Sequence, residues 1–315
     1  MEAKRTKTKE KVAKKVATKR ERSRSISADA KKEVGEGFKS QYPDLAVNPT
    51  KWSKRLIIST PTVGMVRMEW VQGRFGQTIP TNFSLVDMHQ YMNTYAPVGY
   101  QLSDAENLTA KAVVEGDFDW FLSWEDDNIP PLDALIKINQ YIIKNDTPVV
   151  SGLYFTKSVP PEPILYRGVG NGYYGDWKLG DKVWVDGIPF GFTLIHGSII
   201  KELWKESPEY MVNGTMTRRV FDTPSESYLD AETGGWMMSA GTSDLAWCKR
   251  LMKDNIFEKA GWPEYQKMEF PFLVDTTIFV KHIDRQTGVQ YPLALPREFL
   301  EKKITWIEAL RKLTK

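Results

Sequence analysis

The sequence predicts an α/β domain in which a mostly parallel sheet is flanked by helices. Short apolar runs typical of buried strands alternate along the chain with longer segments whose apolar residues recur at helical spacing. The length of 315 residues suits one large domain or two small ones, and a composition of 41% hydrophobic and 26% charged residues is typical of a globular protein.

The first predicted elements are one strand and two helices. The apolar run at 55–60 is typical of a buried strand, and Pro61 breaks it. Helical spacing of apolar residues after the candidate N-cap Ser84 predicts a helix over 84–95. A second helix is predicted to begin at Ser103, because a serine followed three residues later by a glutamate forms a capping box.

Two further strands surround a helix in the next part of the chain. The run at 119–124 is a second buried strand, and it ends abruptly in three acidic residues. Pro130 and Pro131 begin the following helix, since proline is favoured in the first helical turn. A third strand is predicted over 148–154. The order of strand, helices, strand, helix and strand favours a mostly parallel sheet.

The second half of the chain mixes loops with regular elements. Residues 155–195 are rich in glycine, proline and aromatic side chains, and short antiparallel strands such as 182–186 are expected there. Helices are predicted over 198–206 and 243–254, and a strand over 272–280. After Pro296, one amphipathic helix is predicted, with an apolar face formed by Leu300, Ile304, Ile307 and Leu310.

The N-terminal segment differs from the rest of the chain. Residues 1–40 have too few large apolar side chains for a core and are predicted to be a disordered basic tail, followed by a folded domain over 41–315. Residues 1–32 hold 13 basic and 4 acidic residues, whereas the remainder holds 30 basic and 36 acidic ones. The tail is either a solvated, nonspecific arm or a contact to nucleic acid or an anionic membrane.

The sequence also carries signals about compartment. No apolar run approaches the length that spans a bilayer, and the basic first residues lack the apolar core of a secretory signal. The single cysteine, Cys248, excludes an internal disulfide, which suits a reducing compartment. These features favour a cytoplasmic protein without a transmembrane segment, and the basic tail leaves peripheral attachment to a membrane open.

The acidic motif Glu125-Asp126-Asp127 carries the most chemical information. Three adjacent carboxylates repel one another, so a cation or hydrogen-bond donors must compensate them. Ligands of open α/β sheets bind at the carboxyl ends of strands, and hard cations such as Mg²⁺ and Mn²⁺ prefer carboxylate oxygens. The alternative is that the acids cap the helix that begins near Pro130, where the helix dipole favours negative charge.

The run from Trp120 to Leu132, followed by the strand Val149-Val-Ser-Gly-Leu-Tyr154, resembles GT-A-fold glycosyltransferases. In that family a D-x-D motif follows a buried strand of a Rossmann-type sheet. The resemblance implies a GT-A-like fold and a role for Asp127 as ligand of Mn²⁺ or Mg²⁺. Glu125 stands where the first Asp of the motif usually stands, so the resemblance implies that it contacts the nucleotide or joins the metal shell. It also implies that Asp126 contacts the nucleotide.

Other segments resemble the family in the same order. Thr60-Pro61-Thr62 is similar to the loop that cradles the nucleotide base, and Asn107 is similar to the asparagine of an Arg-Asn pair. In this chain Glu106 replaces the arginine of that pair.

Two later segments complete the resemblance, which spans roughly residues 55–285. The segment from Ser243 to Arg250 resembles a region whose aspartate, here Asp244, acts as the general base. His282 resembles the late histidine that completes the metal shell. The position of Asp244 at a helix N-terminus leads us to expect an ionised carboxylate.

The sequence therefore predicts a metal-dependent glycosyltransferase of the hexosyltransferase class. The expected donor is a UDP- or GDP-sugar, and the acceptor is a hydroxyl of a glycan, lipid or protein. Transfer with inversion is expected if Asp244 faces the metal, and retention otherwise. The alternatives are a sugar-nucleotide nucleotidyltransferase, which the single glycine of the loop at 60–64 disfavours, and a noncatalytic protein whose tail binds a polyanion.

Overall fold

The computed structural model describes residues 55–80, 91–168, 172–229 and 235–314. They belong to a compact unit that spans Trp52–Lys315. The other unit, Met1–Lys51, lies outside the described residues, and so do the predicted tail of 1–40 and the anionic contacts expected of 1–32. None of the helices in the described ranges combines the length and the apolarity that crossing a bilayer requires.

The described part of the chain contains fourteen strands and nine helices. The strands are β1 (Leu56–Ser59), β2 (Tyr91–Tyr95), β3 (Trp120–Trp124), β4 (Asn128–Ile129), β5 (Val149–Leu153), β6 (Lys182–Val185), β7 (Phe192–His196), β8 (Glu209–Val212), β9 (Thr215–Arg218), β10 (Ser225–Leu229), β11 (Trp236–Ala240), β12 (Phe272–Phe279), β13 (Lys281–Ile283) and β14 (Gln290–Tyr291). The helices are α1 (Met68–Phe75), α2 (Leu102–Glu115), α3 (Ala134–Lys144), α4 (Gly197–Glu206), α5 (Ser243–Lys253), α6 (Ile256–Lys259), α7 (Pro263–Gln266), α8 (Arg297–Leu300) and α9 (Trp306–Leu313).

Seven of these strands form the main sheet, in the order β2-β1-β3-β7-β5-β12-β6. The ladders β2–β1, β1–β3 and β5–β12 are parallel, whereas β7 and β6 run antiparallel to their neighbours. Five of the seven strands therefore share one direction. The prediction of an α/β fold with a mostly parallel sheet flanked by helices is confirmed.

The central strands bury side chains on both faces of the sheet. Alternate residues of β1 contribute to two separate apolar clusters, with Leu56 and Ile58 in one and Ile57 in the other. The first cluster is covered by α3 through Leu135, and the second by α4 through Ile199. Helices on both faces explain why these strands read as continuous apolar runs in the sequence.

Several predicted helices differ from the structure. The capping box predicted at Ser103 is wrong, because the helix begins at Leu102 and its N-cap Gln101 makes no side-chain hydrogen bond. The helix expected to begin at Pro130 and Pro131 begins at Ala134.

The helix predicted over 84–95 is wrong at its C-terminal end, because Tyr91–Tyr95 is strand β2, which pairs in parallel with β1; residues 81–90 lie outside the described ranges. The single helix predicted after Pro296 is two short ones, α8 and α9. Lys302 between them has a φ of 62°, a left-handed conformation that ends a right-handed helix.

Candidate functional site

The acidic motif lies at the carboxyl end of β3, whose five residues are all buried. Directly after the motif, β4 pairs antiparallel with β13, so that Asn128 stands opposite His282. This pairing belongs to a small sheet with the order β14-β13-β4. The small sheet thus brings the motif next to a segment that is distant in sequence.

Asp127 and His282, the two residues expected to share a metal, lie close together. The Nε2 atom of His282 is 3.5 Å from Oδ2 of Asp127. The Nδ1 atom of the same ring lies 2.9 Å from the carbonyl oxygen of Phe155, which can only accept, so Nδ1 donates this hydrogen bond. The bond fixes the ring and leaves Nε2 directed at Asp127. The Tyr154 ring packs edge-on against the imidazole at 5.5 Å.

Two basic side chains that the sequence reasoning missed also bind the motif. The Lys157 ammonium donates a 2.8 Å hydrogen bond to Oδ2 of Asp127. Arg285 forms an ion pair with Asp126, and its Nη2 lies 3.6 Å from the same Asp127 oxygen. The sequence contained a signal for both residues. Lys157 follows shortly after β5 and Arg285 shortly after β13, so each lies close to a strand end, where ligands were expected.

The surroundings give the three acids different pKa values. Burial raises the pKa of Glu125 to about 8, and the charges of Asp127 and Asp244 add to the rise. Burial also raises the pKa of Asp126, although Thr62 and Arg285 oppose this. Burial would raise the pKa of Asp127 as well, but the contacts of His282 and Lys157 outweigh it and hold that pKa well below its ordinary value. The repulsion expected from the sequence is thus relieved by protein groups and by a neutral Glu125.

The loop expected to cradle the nucleotide base lies beside the motif. Thr60, at the end of β1, and Pro61 are buried, and the backbone N–H of Thr60 donates to the carbonyl of Tyr95 over 2.9 Å. Thr62 opposes the rise in the pKa of Asp126 that burial causes, so it is the residue of this loop that acts on the acidic motif.

Asp244 lies in the first turn of α5, as expected for the general base. Its Oδ1 accepts a 2.8 Å hydrogen bond from the backbone N–H of Leu245. We expected the helix N-terminus to stabilise the charged form, but burial is the larger effect and raises the pKa of Asp244. The charge of Asp244 in turn raises the pKa of Glu125 and of Tyr154, so the structure brings Asp244 into the neighbourhood of the motif.

Asn107, expected to contact the nucleotide, is engaged within the fold. Its side-chain nitrogen donates to the Tyr210 hydroxyl and to the Phe221 carbonyl, both over 2.8 Å, and its oxygen accepts from the Phe221 N–H. Both amide hydrogens are used, and only 1% of the residue is exposed. The side chain ties α2 to the segment after β9, so we do not include it in the candidate site.

The site offers a divalent cation two donors rather than a complete shell. Among the described residues, no group of three or more His, Cys, Asp or Glu side chains could hold a metal ion. Two ligands bound at right angles, each about 2.1 Å from an ion, are about 3 Å apart. The 3.5 Å between Asp127 and His282 is longer than this separation, so the two donors would have to approach each other to share one ion. Mg²⁺ in particular takes one or two carboxylates and completes its coordination with substrate phosphates and water.

No protein-family model matches the chain, and no curated protein matches it. Among solved structures, the chain is similar to the protein A197 from STIV, with 13% identity, a TM-score of 0.41 and coverage of 73% of this chain and 87% of that one. It is also similar to CMP:2-keto-3-deoxy-manno-octonic acid synthetase complexed with CTP, with 9% identity, a TM-score of 0.24 and coverage of 83% and 100%. Both TM-scores are too low for either likeness to support a statement about fold or function.

Proposed function

We propose that the protein is a glycosyltransferase with a GT-A-like fold that moves a sugar from a UDP- or GDP-sugar to a hydroxyl of a glycan, lipid or protein. One observation carries the proposal: Asp127 and His282, far apart in sequence, converge at the carboxyl end of β3 with Nε2 and Oδ2 3.5 Å apart. Ligands of α/β sheets bind at such strand ends.

Asp127 and His282 are the residues that would hold Mn²⁺ or Mg²⁺ in this proposal, and the described residues do not place Glu125 with them as a third donor. A bound cation neutralises negative charge on a departing diphosphate. In this proposal the loop Thr60–Thr62 contacts the nucleoside. Asp126 connects this loop with Arg285, because Thr62 influences the pKa of Asp126 and Arg285 forms an ion pair with it.

The transfer itself is a single displacement. Asp244 accepts the proton of the acceptor hydroxyl as its oxygen forms a bond to the anomeric carbon. The bond between that carbon and the donor phosphate breaks, and the nucleoside diphosphate leaves with the electron pair. The product sugar then has the inverted configuration. The raised pKa of Asp244 makes its carboxylate a better proton acceptor than an exposed aspartate.

The decisive experiment measures the binding and turnover of a panel of UDP- and GDP-sugars with Mn²⁺ or with EDTA. In the wild type, we expect Mn²⁺ to tighten donor binding and to permit release of UDP or GDP. Asp127→Asn keeps the shape of the side chain but removes its charge, so it should abolish the Mn²⁺-dependent gain in affinity. A gain that survives in this variant would rule out Asp127 as the metal ligand.

A matched control is Asp275→Asn. Asp275, in β12, is also a buried carboxylate, 5% exposed, and accepts a hydrogen bond from the hydroxyl of Tyr141 in α3. This variant should retain the response to Mn²⁺, which separates loss of the site from general destabilisation. Release of pyrophosphate instead of a nucleoside diphosphate would indicate a nucleotidyltransferase, and binding without any product would favour a noncatalytic protein.

A further inference from the structure

We propose that Lys157 and Arg285 bind the donor diphosphate directly, so that nucleoside diphosphates still bind after divalent cations are removed. This inference rests on the proposed function and adds a second set of phosphate contacts to it. It starts from the observation that the acidic motif is already compensated by basic groups of the protein itself.

The contacts of Lys157 leave donors for another anion. Its ammonium has three N–H groups, and the contact recorded for it in the described residues is the hydrogen bond to Asp127 at 2.8 Å. The Lys157 side chain is 28% exposed, whereas that of Asp127 is only 9% exposed. The lysine therefore stands between a buried carboxylate and the open side of the site.

Arg285 is placed in the same way. Among the residues that the structure describes, the side-chain contacts of Arg285 to Asp126 and Asp127 both come from Nη2. Its side chain is 42% exposed, whereas that of Asp126 is fully buried. A guanidinium has five N–H donors in a fixed fork, a geometry that suits phosphate oxygens. Its Nη1 and Nε groups are thus available to a ligand above the motif.

The balance of charge explains why an anion would be attracted here. Without Lys157 and Arg285, adjacent carboxylates would repel a diphosphate, and only a metal could reverse this. Lys157 and Arg285 offset the charges of Asp127 and Asp126, and the carboxylate of Asp284 also lies near Lys157. Charge-assisted hydrogen bonds to phosphate are roughly twice as strong as neutral ones. The N–H groups of the two cations that do not face the acids can therefore bind a diphosphate.

The test measures the affinity of UDP and GDP by calorimetry in EDTA and in Mn²⁺. We expect the wild type to bind in EDTA, and we expect Lys157→Met and Arg285→Gln each to weaken this binding about tenfold or more. Uridine and guanosine, which lack phosphates, should bind all variants alike. Asp127→Asn releases Lys157 from its ion pair, so it should keep or increase the affinity in EDTA while it removes the effect of Mn²⁺.

Lys201→Met provides the matched control. Lys201 is also ion-paired, at 2.6 Å from Asp117, and its side chain is 29% exposed, but it lies on α4 away from the motif. It should bind UDP and GDP like the wild type. Binding that requires Mn²⁺ and ignores both substitutions would overturn the inference while the proposed sugar transfer stands. If neither nucleotide binds under any condition, the proposed function fails together with the inference.

Discussion

The carboxyl groups of the site behave differently because each has a different set of neighbours. Asp127 receives hydrogen bonds from Lys157 and from the Asn128 side chain, the latter over 3.0 Å, which stabilise its charged form. Glu125 is a neighbour in sequence but has no ion pair within the described part of the chain, so burial dominates and raises its pKa to about 8. Two carboxyl groups of one motif thus have pKa values that move in opposite directions.

Substitution of Asp244 tests the proposed base. Asp244→Asn preserves the size of the side chain but cannot accept the acceptor proton, so kcat should fall about 10²- to 10⁴-fold, with little change in the KM of the donor. Steady-state kinetics at saturating acceptor measure both constants. Circular dichroism should show an unchanged Tm. An unchanged kcat would exclude Asp244 as the base.

Glu106 allows a test of pH-dependent stability. It is 3% exposed, and burial raises its pKa well above the ordinary 4.5. The native state therefore keeps a proton that the unfolded state loses above about pH 4.5, and the free energy of unfolding falls as the pH rises through this window. Glu106→Gln cannot ionise, so its stability should fall less between about pH 5 and pH 8. Urea unfolding at both values measures this, and parallel losses in the two proteins would contradict it.

At the scale of elements, short pairings place the functional groups. Strand β4 has two residues and β13 has three, yet their antiparallel ladder sets His282 opposite Asn128. A second connection comes from the start of β7, where Gly191 accepts a 2.9 Å hydrogen bond from the N–H of Glu125 through its carbonyl. The motif is therefore held from two sides by backbone contacts.

Gly191 is a position where this packing leaves no room for a side chain. A Cβ atom there would lie 2.5 Å from the Tyr154 hydroxyl and 2.6 Å from Nδ2 of Asn128, which binds Asp127. Gly191→Ala should therefore lower the free energy of unfolding by about 1–3 kcal/mol and weaken nucleoside diphosphate binding. Urea unfolding and calorimetry measure the two effects. Gly172→Ala, where a Cβ meets no atom within 4 Å, should change neither.

At the scale of the whole described unit, two apolar clusters on opposite faces of the sheet support the edge that holds the candidate site. The C-terminal helices belong to one of these clusters, because Trp306 is fully buried and its ring lies 4.8 Å from that of Phe155. The Phe155 carbonyl accepts the hydrogen bond of His282. The C-terminal segment therefore supports the imidazole of the candidate site through a single intervening residue.

Removal of Trp306 tests this connection. Trp306→Ala should lower the free energy of unfolding by about 3–5 kcal/mol, because the lost ring leaves a cavity beside Phe155 and Phe299. Urea unfolding measures the loss. Ile307→Ala, at a residue that is 38% exposed, should cost much less. A loss below about 1 kcal/mol for Trp306→Ala would contradict the support that we assign to the C-terminal helices.

The sequence predicted well wherever the determining interactions were local. Apolar patterns alone predicted the strands β1, β3, β5 and β12 and the helix α3. The strands were recognisable because both faces of the sheet are covered, which makes their sequences continuously apolar. The helix predicted over 84–95 was wrong where β2 pairs with β1, because pairing with a distant strand outweighed local spacing. The local sequence of an edge strand does not show which strand it pairs with.

The sequence by itself therefore determined the α/β class and the position of the acidic motif at a strand end, and its resemblance to GT-A-fold glycosyltransferases suggested Asp127, His282 and Asp244 as candidates. Only the tertiary structure decided which groups compensate the acids and the direction in which the pKa of Asp244 moves. The reason is that hydrogen bonds, ion pairs and burial depend on distances between residues remote in sequence. Lys157 reaches Asp127 across 2.8 Å only because β3 and the end of β5 meet at one edge of the sheet.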